Sequence, residues 1–327
     1  MIALQFSNWP VQHSLSVGPV YSAALASSTR TTEASMLALT LSALLSVATL
    51  LQPPAKPADT TKTDPPATTP SAAHAPSIQK HLDWTIDGVK REAIVFVPAS
   101  ALTAPIPLVF AFHGHGGSAR QASLSFHIHT VWPEAIVVYM QGLPTPGALT
   151  DPEGKKNGWQ NREGLQGDRD LKFFDAALET LRKDYEVDDR RIYAMGHSNG
   201  GGFTYLLWTA RPDVFAAFAP SGAFTLQARN LKPKPAMHIA GKNDELVKFQ
   251  YQERTIEAVK KIDDCQEKGE AWAKDCTLYP SKTGTPLITL IYDGGHQYPA
   301  EAPALIVKFF KEQAKPAPPE PGAKRPD

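Results

Sequence analysis

The apolar positions of the chain fall into two kinds of pattern. Between residues 81 and 97 they alternate with polar ones, and Asp87-Gly88 sits between the two halves. Alternation marks a half-buried strand and Asp-Gly favours a tight turn, so this stretch predicts a β-hairpin. Downstream come short, mostly apolar runs at Leu108–Phe112, Ala135–Met140, Arg191–Met195, Phe215–Ala219, Met237–Ala240 and Leu287–Tyr292. Helical spacing separates them. Leu171, Phe174, Ala177, Leu178 and Leu181 lie on one face of a helix over 168–184. Further helices are predicted from Ser198 to Ala210, over 250–263 and over 302–313. Strands that are apolar throughout are buried on both sides. The expected fold is therefore α/β, with a mainly parallel central sheet and helices on both faces. No internal repeat interrupts this order.

The two ends of the chain read differently. Residues 36–51 are sixteen uncharged residues, short of the ~20 that span a bilayer. Followed by small residues, they suit the apolar region of a secretory signal. Residues 1–51 are thus read as an N-terminal extension carrying a signal-like segment. Seven prolines lie between Gln52 and Ser77, and five between Lys315 and Asp327. Such tracts bury too little apolar surface to fold. They make 52–77 a linker and 315–327 a tail, leaving 78–314 as one folded domain. The expected location is extracellular or periplasmic, with an uncleaved membrane tether through 36–51 as the rival.

Charge and cysteine count narrow the function. Lys plus Arg and Asp plus Glu both number 33. No basic excess exists to neutralise phosphates, which argues against a nucleic-acid partner. Two cysteines are too few for a disulfide-built fold or a four-cysteine zinc site. In an oxidising compartment Cys265 and Cys276 form a candidate disulfide, with two free thiols as the alternative.

The chemistry centres on Gly196-His197-Ser198-Asn199-Gly200. This Gly-x-Ser-x-Gly follows a predicted strand and opens a predicted helix, the context in which such a serine stands exposed on a sharp turn. A serine hydroxyl needs a base, and the base an acid. His296 follows the strand ending near Tyr292, and Asp244 the strand ending near Ala240. The order Ser198, Asp244, His296 fits a triad, with Glu245 and Asp293 as alternative acids. His113-Gly114-His115-Gly116-Gly117, after the strand ending at Phe112, supplies candidate oxyanion donors. The amide of His115 or of Gly116 would act with that of Asn199. Trp159, in a polar loop, is a candidate substrate-binding aromatic, though it equally fits packing against the core. Phe126, Trp132 and Tyr298 suit an acyl pocket or the core. No cofactor is called for. The rival chemistry is a metal-dependent hydrolase using the pair His113 and His115, with His127 and His129 as a second pair. An acyltransferase or a non-catalytic binding protein on the same fold completes the alternatives.

The segments FHGHGGSA (112–119), DRRIYAMGHSNGG (189–201), PDVFAAFAPSGA (212–223), GKNDELV (241–247) and DGGH (293–296) resemble the α/β-hydrolase superfamily. Within it they are similar to the secreted esterases grouped with polyhydroxybutyrate depolymerases and feruloyl or acetylxylan esterases. The resemblance covers roughly residues 90–312. It implies an acyl-enzyme at Ser198, assisted by His296 and Asp244, and a small-molecule or polymeric ester as substrate. One departure is His115, where relatives often carry Cys or another small residue.

Overall fold

In the computed structural model, residues 77–317 are described. The apolar stretch 36–51, the linker up to residue 76 and the tail from 318 lie outside the described residues. Strands β1 (Ile78–Ile86) and β2 (Val89–Val97) form the expected hairpin, closing at Ile86 opposite Val89. Asp87 and Gly88 both have positive φ, 50° and 79°. Two such residues in sequence give the turn whose twist matches that of the strands.

The chain then runs through β3 (Ile106–Phe112), α1 (Ala119–Phe126), α2 (Ile128–Val131) and β4 (Ile136–Met140). Strands β5 (Leu143–Pro144) and β6 (Asn157–Gly158) pair in a small ladder of their own. There follow α3 (Arg169–Asp184), β7 (Val187–His197), α4 (Asn199–Ala210), β8 (Ala217–Ser221), β9 (Ala236–Gly241) and α5 (Phe249–Ile262). The last elements are β10 (Glu270–Ala273), β11 (Cys276–Tyr279), β12 (Leu287–Tyr292) and α6 (Ala302–Lys311). The main sheet has ten strands in the order β1-β2-β4-β3-β7-β8-β9-β12-β11-β10. The six central strands are parallel, and the pairs at each edge are antiparallel.

Side chains alternate across this sheet as the pleat demands. Leu108, Phe110 and Phe112 of β3 join the core beneath α3, α4 and α5. Val109 and Ala111 join the opposite core, beneath α1, α2 and α6. All seven residues of β3 are buried, which is why its sequence is apolar without alternation. Each buried Phe or Leu on these faces stabilises the fold by about 1.5–3 kcal/mol.

Registration brings five strand ends together. Phe112 lies opposite Gly196, Gly196 opposite Pro220, Ser221 opposite Ile239, and Tyr292 opposite Gly241. Because these strands are parallel, the loops after β3, β7, β9 and β12 leave from one edge. That edge is where open α/β sheets bind ligands. Among the described residues no helix is long and apolar enough to cross a membrane.

Three sequence expectations meet a different outcome here. The hairpin β10–β11 was not visible in the pattern, because each of its strands is only four residues long. Lys315, at the head of the expected tail, is held in place. Its amide bonds Arg190 O and its ammonium bonds the carbonyls of Asp213 and Val214. Cys265 and Cys276 are free thiols rather than a disulfide. Cys276 belongs to the core under α6, whereas Cys265 packs against the core on the other side of the sheet.

Candidate active site

The turn from β7 into α4 is built by close backbone approach. A Cβ on Gly196 would run into the carbonyl of Gly200, and one on Gly200 into the carbonyl of Phe112. Only glycine fits either position. Between them Ser198 has φ 57° and ψ −121°, left-handed backbone for a residue with a side chain. Such conformations cost about 1–3 kcal/mol and persist where the surroundings enforce them. Here the enforcing bonds are Ser198 N to Ser221 O at 2.8 Å and Gly202 N to Ser198 O at 2.9 Å.

The three residues of the expected triad meet at this turn. Ser198 Oγ lies 2.7 Å from His296 Nε2, and His296 Nδ1 lies 2.8 Å from Asp244 Oδ2. Asp244 is buried, and its oxygens accept from four N–H groups: Leu246 N, Val247 N, Gln252 Nε2 and His296 Nδ1. An acid that only accepts fixes the imidazole proton on Nδ1 and leaves Nε2 free to accept from the serine. The alternative acids point elsewhere. Asp293 pairs with Lys242 at 2.9 Å, and Glu245 is exposed.

His197, beside the nucleophile, has a part that the sequence pattern did not suggest. Its ring lies 5.0 Å from that of His296 and 5.7 Å from that of Tyr298. Its Nε2 is 3.3 Å from His296 O, and its Nδ1 is 3.1 Å from Ser221 Oγ. Burial, reinforced by the adjacent His296, pulls its pKa down to about 4. The neutral ring must donate from Nε2, since a carbonyl only accepts, and Nδ1 takes the Ser221 proton. His197 thus fastens the loop that carries the base.

The glycine-rich loop after β3 passes over the serine, and a Cβ on Gly114 would lie 3.5 Å from Ser198 Cβ. His113 holds this loop from below. Its Nε2 accepts from Gly142 N at 3.0 Å, so Nδ1 donates to Gly114 O at 2.7 Å. Burial lowers its pKa. Of the two candidate amides, that of Gly116 is committed to Asn157 O at 2.6 Å. This corrects the expectation for Gly116. The His115 amide has no acceptor among the described residues, and the Asn199 amide is the first of its helix, where none exists within the helix. The His115 side chain turns away to Asp151, Nε2 to Oδ2 at 3.2 Å.

Trp159 is not a substrate platform. It is 1% exposed, its Nε1 donates to His113 O at 2.9 Å, and its ring stacks on Phe203. Phe126 and Trp132 are likewise buried in the core. The described residues lend the metal reading no support. Both ring nitrogens of His113 are engaged, His127 Nδ1 bonds Ser125 O and His129 Nδ1 bonds Tyr139 Oη. Among the described residues no group of three or more His, Cys, Asp or Glu is arranged to hold a metal.

Comparison with known proteins points the same way as the fold. Residues 149–231, which include the serine turn, match the prolyl oligopeptidase family. The chain is 29% identical over 167 residues to a bifunctional acetylxylan esterase/xylanase of Neocallimastix patriciarum, covering 50% of this chain but only 23% of that protein. It is 27% identical over 202 residues to the Aspergillus niger protein named "Probable feruloyl esterase C", covering 59% of this chain and 70% of the relative. In structure it resembles a ferulic acid esterase with a TM-score of 0.54, over 72% of this chain and 98% of the other. At 17% identity that likeness is one of fold. Sheet order, serine turn and structural likeness give the chain the α/β-hydrolase fold, and the relatives it resembles in sequence are named as esterases.

Proposed function

We propose that the protein is a serine esterase that cleaves carboxylic esters through an acyl-enzyme on Ser198. The observation that carries this reading is the unbroken line from Ser198 Oγ through the His296 ring to Asp244 Oδ2, at 2.7 and 2.8 Å. Ser198 Oγ attacks the ester carbonyl carbon as His296 Nε2 takes its proton. Negative charge collects on the former carbonyl oxygen, where the amides of His115 and Asn199 donate. One such donor typically contributes about 3 kcal/mol. Collapse breaks the bond to the alcohol oxygen, and His296 returns the proton to that leaving group. Water then adds to the acyl group, with His296 as base, and releases the acid and free Ser198.

The names of the relatives support feruloyl or acetyl esters as substrates, and hydroxybutyrate esters follow from the sequence resemblance. The signal-like segment 36–51 and the linker after it support export. The test is turnover of nitrophenyl acetate by the wild type beside Ser198→Ala, both with chelator. Turnover by the wild type alone is expected, and equal turnover by both would refute the mechanism. A panel of feruloyl, acetyl and hydroxybutyrate esters then ranks the substrates. The N-terminal sequence of the mature protein from the periplasm or medium tests export.

A further inference from the structure

Behind Asp244 lies a line of buried polar side chains that the reaction itself does not touch. Gln252, on α5, is fully buried. Its Nε2 donates to Asp244 Oδ2 at 3.0 Å and to Val247 O at 2.6 Å. Both amide protons are then used, and Oε1 still needs a donor. His238, within β9, is also buried, and the Gln252 side chain is close enough to act on its ring. Gln252 Oε1 and His238 Nε2 are buried atoms without a hydrogen-bond partner, one an acceptor and the other able to donate. On its far side His238 Nδ1 lies 2.6 Å from Tyr205 Oη of α4. Burial pulls the His238 pKa down to about 4, so at neutral pH the ring has one proton to place.

We propose that Tyr205, His238 and Gln252 form a buried positioning array for Asp244, with His238 held as its Nε2–H tautomer. Tyr205 donates to His238 Nδ1, His238 Nε2–H to Gln252 Oε1, and Gln252 Nε2–H to Asp244 Oδ2. Each donor has one acceptor, and the direction cannot be reversed in part. A proton on His238 Nδ1 would leave two lone pairs facing each other at Gln252. A flipped Gln252 amide would set its oxygen against Asp244 Oδ2 and Val247 O. The carboxylate is thereby held on both sides, Oδ1 by the backbone of Leu246 and Val247 and Oδ2 by Gln252. His296 meets an acceptor that cannot rotate away. None of the three residues touches the reacting atoms.

The consequence for turnover rests on the serine-esterase reading, but the tautomer does not. Gln252→Met keeps the length of the side chain and removes the amide. With nitrophenyl acetate, kcat is expected to fall about ten-fold or more, with KM within about two-fold of wild type. His238→Phe acts in the same direction. His238→Gln, which can offer an amide N–H to Gln252, restores at least about half of kcat. Folded variants with wild-type kcat, in an enzyme that Ser198→Ala inactivates, overturn the array and leave the esterase standing. Activity that survives Ser198→Ala overturns the esterase reading instead. The wild-type protein gives a test that needs no turnover. Long-range 1H–15N spectra at pH 7, assigned by the signal lost in His238→Gln, should show the Nε2–H tautomer. A proton on Nδ1 overturns the proposal.

Discussion

The carboxamide of Asn199 holds the backbone of Trp159 at both ends, accepting from its N–H at 2.6 Å and donating to its carbonyl at 3.1 Å. Asn199 directly follows the nucleophile. Trp159 in turn holds the oxyanion loop through His113 O. The spacing between the Asn199 amide and the His115 amide therefore depends on a side-chain clamp as well as on the sheet. Glycines permit the loop to approach the serine, but they do not fix where it stops.

Asn199→Ala removes the clamp and leaves the backbone amide in place. Two hydrogen bonds are lost, at about 1 kcal/mol each, so the melting temperature should fall by several degrees. Turnover should fall about ten-fold, because one oxyanion donor is worth about 3 kcal/mol when aligned and less when displaced. KM for a small nitrophenyl ester should hardly change. Unchanged kcat would show that the loop keeps its place without Asn199.

Trp159→Phe separates packing from substrate contact. The change leaves His113 O without its indole donor, which should destabilise the protein by about 1–3 kcal/mol. Trp159→Ala should lose more, about 3–5 kcal/mol, since it also opens a cavity between Phe112 and Phe203. KM should be the same for acetyl and feruloyl esters in wild type and Trp159→Phe. A selective rise for the aromatic ester would return Trp159 to the substrate site.

The contrast between these residues shows which parts of the molecule the sequence makes legible. Leu108–Phe112 reads as a central strand because burial on both faces leaves no polar position in it. Ser198, Asp244 and His296 could be picked out because each follows a strand, and parallel strands deliver their ends to one edge. The free amides could not. A glycine-rich loop reads the same whether Gly116 donates to a substrate or, as here, to Asn157 O. Trp159 is ambiguous for a similar reason, since an aromatic in a polar loop can turn in or out. The cysteines illustrate the limit of spacing. Eleven residues apart in sequence, they lie on opposite sides of the sheet because of strand register, which no local pattern encodes. The array behind Asp244 is hidden too, because His238 sits inside a strand that otherwise reads as core.

Asp263 offers a test on stability alone. It lies just past α5, where burial pushes its pKa up to about 7 against the hydrogen bond from Lys234 N. A carboxyl raised above its unfolded value binds its proton more tightly in the native state. Its penalty is absent below about pH 4, accumulates as pH rises to about 7 and then stays constant. Asp263→Asn should remove it while keeping an acceptor for Lys234 N. The variant should be more stable than wild type by up to about 4 kcal/mol at pH 8, and the gap should close toward pH 4. A gap that is the same at both values would mean that the carboxyl is not protonated in the native protein.

Buried histidines act with the opposite sign. His197 and His238 both have pKa values pulled down to about 4 by burial. In the unfolded chain each would titrate near 6.5. Between those values the unfolded state binds the extra protons, so stability is lost as pH falls from about 6.5 to about 4. At pH 5 the two histidines take up about two protons on unfolding, and Asp263 releases about one. His113 and the half-exposed His129, both lowered by burial, add to the uptake. The net uptake should be at least about one proton, or ~1.4 kcal/mol lost for each unit of pH. Urea unfolding at pH 6 and pH 5 measures that slope directly. His238→Gln removes one titrating ring and should flatten the slope by up to about one proton. A slope near zero in the wild type would mean that these rings can charge without unfolding the protein, and would also remove the basis for a single fixed tautomer at His238.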